Sequence, residues 1–143
     1  MKKFFIIINI FFLFFIFAQQ LLSQEIKTTK EVKKLNQQYY PIRKLMSEKK
    51  FNIAYTKYKD FIVQNHDFYE VYLFFPRCAK KIDKLNSAID FFKKLLKKEP
   101  KNTYFYYGLG VCYETQKNYD KAADNYEKAT NLQAKFLAVY YRR

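Results

Sequence analysis

Small, aromatic and apolar residues recur along this chain with helical spacing, and the pattern returns every 34 residues. Ala54, Ala88 and Ala122 share one register. Tyr58, Phe92 and Tyr126 share a second, four residues on, and Phe61, Leu95 and Ala129 a third, three further. Steps of four and three place each set on one face of an α-helix. A unit of this length has an apolar face that it cannot bury alone, so successive units must stack. The pattern predicts an all-α chain of stacked helix–turn–helix repeats. Such arrays bind other proteins far more often than they perform chemistry.

Three units follow from the register: 35–68, 69–102 and 103–136, with 24–34 as a leading segment. In the third, Tyr106, Leu109, Gly110 and Tyr113 lie on the first helix, and Ala122, Tyr126 and Ala129 on the second. Glycine inside a helix costs roughly 1 kcal/mol against alanine. Gly110 is therefore expected where the partner helix approaches closely. Asn118 is placed to cap the second helix, with Asp120 in its favourable first turn. The second unit keeps Ala88, Phe92, Leu95 and Pro100, but Pro76 falls in its first helix and predicts a kink or a late start. In the first unit, a helix over about 35–49 is the weakest element, with Pro41 read as the first helical residue of a short version. Residues 137–143 read as the start of a further or capping helix, with Tyr140 in the aromatic slot. So apolar a stub is a poor cap. It points to further chain, which is favoured, or to an edge covered by a partner or a second copy.

Tyr106, Leu109, Gly110, Tyr113, Ala122, Tyr126 and Ala129 together resemble the tetratricopeptide repeat. Tyr106 stands for that family's leading Trp, and Ala134 for its terminal Pro. Ala54, Tyr58, Ala88, Phe92 and Pro100 carry the likeness into the two earlier units. The resemblance implies a right-handed superhelix whose first helices line a concave groove for a partner. Tyr72, Leu73, Arg77, Lys80 and Lys81 would line it from the second unit, and Tyr104, Tyr107, Val111 and Glu114 from the third. One subtype grips a peptide's terminal carboxylate with Lys and Asn. Here Leu73 and Arg77, then Tyr107 and Val111, occupy those slots, so that clamp is absent.

The amino terminus is a different kind of sequence. Lys2 and Lys3 precede fifteen residues, 4–18, that are apolar except for Asn9, and Leu21, Leu22, Ser23 and Gln24 follow two glutamines. These are the parts of a secretory signal peptide, 1–23, and the apolar run is shorter than the roughly 20 residues that comfortably span a bilayer. Cleavage after Ser23 is preferred to cleavage after Ala18. An uncleaved anchor over 4–22 is the alternative. Either form places the repeats outside the cytoplasm, in the periplasm, the cell envelope or the medium.

Composition sharpens the class. Half the residues are hydrophobic and aromatics reach 21%, while Gly 2 and Pro 3 leave few chain breaks, which excludes sandwiches and Gly-dependent loops. The net charge of +14 is mostly lysine. Residues 69–102 hold nine basic and four acidic side chains, whereas 103–136 hold four of each. Lys93, Lys94, Lys97, Lys98 and Lys101 crowd the second helix of the middle unit. A solvated face is the default reading, with an acidic partner or an anionic lipid surface as the sharper one. Export turns the charge away from nucleic acid.

Cys78 and Cys112 are also 34 apart. Equivalent positions on stacked helices lie roughly 8–10 Å apart, beyond the reach of a disulfide, so buried free thiols are expected. His66 is the single histidine, in the loop between units one and two, with no companions at metal-ligand spacing. No Gly-rich phosphate loop, Ser nucleophile motif or suggestive carboxylate pair occurs. The expectation is a non-enzymatic scaffold without cofactor or metal that holds a protein partner. Self-association into a longer stack and binding to an anionic surface are the alternatives.

Overall fold

The computed structural model describes residues 29–132, together with Gln19. Among these residues every regular element is a helix: α1 (29–47), α2 (Phe51–Gln64), α3 (Glu70–Lys81), α4 (Leu85–Lys98), α5 (Thr103–Thr115) and α6 (Tyr119–Leu132). The chain divides into two compact units, Met1–Gln38 and Tyr39–Arg143. In the first, residues 29–38 are helical and mostly exposed. The second holds the core. There α3 packs on α2, α4 and α5, and α5 also packs on α4 and α6. The segment read as a signal peptide or anchor and the stub 137–143 lie outside the described residues. No helix among the described residues is long and apolar enough to cross a membrane.

The turn between the helices of a pair has the same build three times. Lys49, Asp83 and Lys117, 34 residues apart, have φ of 58°, 56° and 66°. The next amide in each case, of Lys50, Lys84 and Asn118, donates to the carbonyl five residues back, of Leu45, Ala79 and Tyr113, at 2.9, 2.8 and 2.9 Å. This closure satisfies carbonyls that a helix end otherwise leaves open. None of the three left-handed residues is glycine, so each turn carries local strain that the packing outweighs.

Helix starts follow the side chains available. Asn102 caps α5, its Oδ1 accepting from the amides of Tyr104 at 3.1 Å and Phe105 at 3.3 Å. Asn118 caps α6 as expected, accepting from the amide of Lys121 at 3.3 Å. Lys50, Tyr69 and Lys84 precede α2, α3 and α4 without a side-chain cap.

Both proline expectations are corrected. Pro41 lies inside α1 rather than at its start. It is exposed, where water can solvate the carbonyl that proline's missing N–H leaves open. Pro76 lies inside α3, which starts on time at Glu70 and runs on to Lys81. It is almost wholly buried, so burial offsets the lost backbone bond.

The core is aromatic. Ala54, Tyr58, Ala88, Phe92 and Ala129 are fully buried, and Ala122, Leu109 and Tyr113 nearly so. Tyr106 and Tyr126 are half-buried, and Pro100 is exposed just past α4. The small residues let rings fill the space between helices: Phe75 lies 5.1 Å from Tyr55 and 5.7 Å from Phe92, and Tyr39 lies 5.6 Å from Phe61 and 4.7 Å from Phe68. Gly110 works as expected, since a Cβ there would fall 2.5 Å from the Tyr126 ring. Gly108 plays the same part, wedged between Phe92 and Tyr72, each 2.6 Å from where its Cβ would be. Cys78 and Cys112 are buried free thiols, the first donating to the Phe51 carbonyl at 3.3 Å. Burial pushes the Cys78 thiol up to about 11 and raises Cys112 further, which keeps both protonated and unreactive.

Candidate interaction surface on the first helices

The residues assigned to the groove lie on α3 and α5, and burial sorts them into two groups. Tyr72, Tyr107 and Val111 are buried. The expectation that they face a partner is corrected. The Tyr72 ring is flanked by Phe92 at 5.8 Å and by Tyr104, stacked at 6.1 Å, and its hydroxyl donates to the carbonyl of His66. Tyr107 packs on Tyr126 at 5.6 Å, and its hydroxyl sits 2.6 Å from that of Tyr69. A tyrosine with its ring packed and its hydroxyl bonded stabilises the stack. Burial raises the phenol pKa of both above the ordinary range, so both remain neutral.

The second group reaches the surface. Leu73 and Tyr104 are half-buried, while Arg77, Lys80, Lys81 and Glu114 are exposed. Burial first, and neighbouring Asp67 second, raise the Tyr104 phenol. Two of the charged groups are engaged internally. Lys80 Nζ donates to the Thr115 carbonyl at 3.4 Å, tying α3 to the end of α5, and Glu114 accepts from the Tyr126 hydroxyl. Arg77 and Lys81 make no ion pair among the described residues.

Phe74 and Arg43 belong to the same surface, although the spacing argument did not reach them. The Arg43 guanidinium carbon lies 3.8 Å from the centre of the half-buried Phe74 ring, and that of Arg77 lies 5.6 Å from it. Two cations thus share one ring face or its two sides, each attracted by the ring's quadrupole. Arg43 also stands 3.9 Å from Glu70. Arg43 and Arg77 are 34 residues apart, so the repeat itself was the signal that could have found them. Tyr40, one repeat before Phe74, is 57% exposed and adds a second aromatic ring to α1's surface. The arrangement offers an aromatic platform, arginines that can grip a carboxylate, and flanking lysine, and it lacks a nucleophile–base pair.

His66 is exposed in the α2–α3 loop, its ring edge-on to Phe105 at 6.2 Å. Among the described residues no group of three His, Cys, Asp or Glu side chains could hold a metal ion.

Stacked helix pairs with a recurring 34-residue turn make this an all-α helical-repeat solenoid. Residues 103–136 match the family model described as the tetratricopeptide repeat, and the chain is a tetratricopeptide-repeat protein. No curated protein matches it. Repeats of this family are typically non-catalytic modules for protein–protein interaction.

Proposed function

We propose that this protein is an exported scaffold of the cell envelope that holds an acidic segment of a partner protein against the first-helix surface centred on Phe74. The observation that supports this reading is the convergence of Arg43 and Arg77 on one half-buried aromatic ring. Aromatic residues and arginine are the types that concentrate binding energy in protein interfaces. Leu73 and Tyr104 supply apolar flanks, and Lys81 adds positive charge at the edge. A planar guanidinium held by ring stacking loses less freedom on meeting a carboxylate than a mobile one does.

Affinity capture from envelope extracts tests the reading. The wild-type chain, Phe74→Ala, and Arg43→Ala with Arg77→Ala are compared with Lys128→Gln on α6 as a control. Proteins enriched by the wild type and the control, and lost with both surface variants, are the expected outcome. Equal capture by all four chains would remove the surface from the account. Fractionation of cells expressing the full chain tests the location: recovery in envelope or medium is expected, and recovery in the cytosol contradicts export.

A further inference from the structure

The outward face of α4 carries four lysines in two rows. Lys93, Lys94, Lys97 and Lys98 are all exposed. At 3.6 residues per turn they share one arc, across the helix from buried Ala88, Ile89 and Phe92. Asp90 begins the same arc, yet none of the four lysines has a carboxylate within ion-pair distance among the described residues. Lys59 of α2 extends the face, its ammonium 5.2 Å from the ring of Phe91 at the arc's edge. The pairs Lys93–Lys97 and Lys94–Lys98 set like charges one turn apart, which disfavours the helix. The α4 dipole favours Lys97 and Lys98 in its last turn and offsets part of that repulsion.

The face is a property of this helix and not of the chain's general lysine content. α6 occupies the same place in the next pair, and it exposes Asp120, Lys121, Asp124, Glu127 and Lys128 in mixture. The kind of charge also selects the occupant. Protein interfaces are poor in lysine and rich in arginine and aromatic rings, and single-stranded nucleic acid is held by stacking on exposed aromatics. The lysine arc offers point charges on flexible stems with no exposed ring among them. A surface of anionic headgroups asks for no more than that.

We propose that the lysine face of α4, with Lys59, is a docking surface for the anionic phospholipid headgroups of a bilayer. It stands apart from the Phe74 surface and does not depend on it.

Co-sedimentation of the full chain with vesicles tests this. Phosphatidylcholine alone is compared with an equimolar mixture of phosphatidylcholine and phosphatidylglycerol, so any attachment through the apolar amino terminus appears equally on both. Binding to the anionic vesicles should exceed binding to the neutral ones and fall steeply as salt is raised. The fourfold variant Lys93→Gln, Lys94→Gln, Lys97→Gln and Lys98→Gln should need at least about tenfold more anionic lipid for half-binding, with neutral-vesicle binding unchanged. The corresponding fourfold Lys→Arg variant should bind like the wild type, as should Phe74→Ala. Equal anionic binding by the Gln variant and the wild type would overturn the proposal. So would binding indifferent to salt, or an Arg variant that fails as the Gln variant does. Preference for RNA or an acidic polypeptide over the anionic vesicles would assign the face to another partner and overturn it too.

Discussion

Gly108 sits on α5 between two rings that have no room to retreat. A methyl group there would lie 2.6 Å from Phe92 Cζ and 2.6 Å from Tyr72 Cδ1, and both rings are fully buried. Carbon atoms pack comfortably at about 3.5–4.0 Å, so roughly an ångström has to come from moving α3 or α4 away from α5. Overpacking a tight core costs about 1–3 kcal/mol. Alanine returns roughly 1 kcal/mol through its better helix propensity. Gly108→Ala should therefore destabilise the fold by about 1–2 kcal/mol, lowering Tm by about 4–16 °C in a domain of this size. Thermal unfolding followed by far-ultraviolet circular dichroism reads the change. The cause is isolated by repeating the substitution with Phe92→Leu, which removes the ring tip. There the cost of Gly108→Ala should shrink by about 1 kcal/mol. Gly110→Ala should cost less than Gly108→Ala, because the half-buried Tyr126 ring can swing outward at the expense of its bond to Glu114. A Gly108→Ala protein as stable as its parent would refute the close approach of α5 to α3 and α4.

Three further outcomes are expected. The hydroxyls of Tyr39 and Tyr58 are buried without a hydrogen-bond partner, so Tyr39→Phe and Tyr58→Phe should leave stability unchanged or raise it by about 1 kcal/mol; a loss in denaturant titration would mean that the hydroxyls are satisfied. Lys117→Gly should raise stability by about 1 kcal/mol by relieving the left-handed turn, and destabilisation would contradict the turn geometry. Stability should also fall on the alkaline side. Burial holds Cys78 near 11 and raises Tyr39, Tyr58, Tyr72 and Tyr107 above their ordinary value. The unfolded chain releases these protons first, so stability is full below about pH 8.5 and declines as pH rises toward and beyond 11. Denaturant midpoints measured across that range check the sign, and a flat profile would contradict it.

The stacking was legible because three sets of positions agreed at one spacing: Ala88 and Ala122 are buried where the pattern put them, and Gly110 meets the Tyr126 ring. The hairpin turns were invisible because their left-handed residues are Lys49, Asp83 and Lys117, which carry none of glycine's signal. Pro41 and Pro76 misled for a related reason. Local chain rules predict a break of about 3 kcal/mol, whereas solvation at one site and burial at the other let the helices run through. Helical position alone could not say which tyrosines of α3 and α5 face outward. Tyrosine suits core and surface alike, and only the neighbours Phe92, Tyr104, Tyr126 and Tyr69 decide that Tyr72 and Tyr107 turn inward. The pairing of Arg43 with Arg77 was written in the 34-residue spacing. Its meaning needed Phe74, which no repeat rule marks.

The claim on which the account rests is that a protein partner sits over Phe74. Replacing Phe74 by the photo-crosslinking residue benzoylphenylalanine in the full chain, with the same residue at Lys128 on α6 as control, tests it in living cells. The account predicts a discrete protein adduct from position 74 and none from position 128. Adducts from position 128 alone, or identical adducts from both, would contradict it.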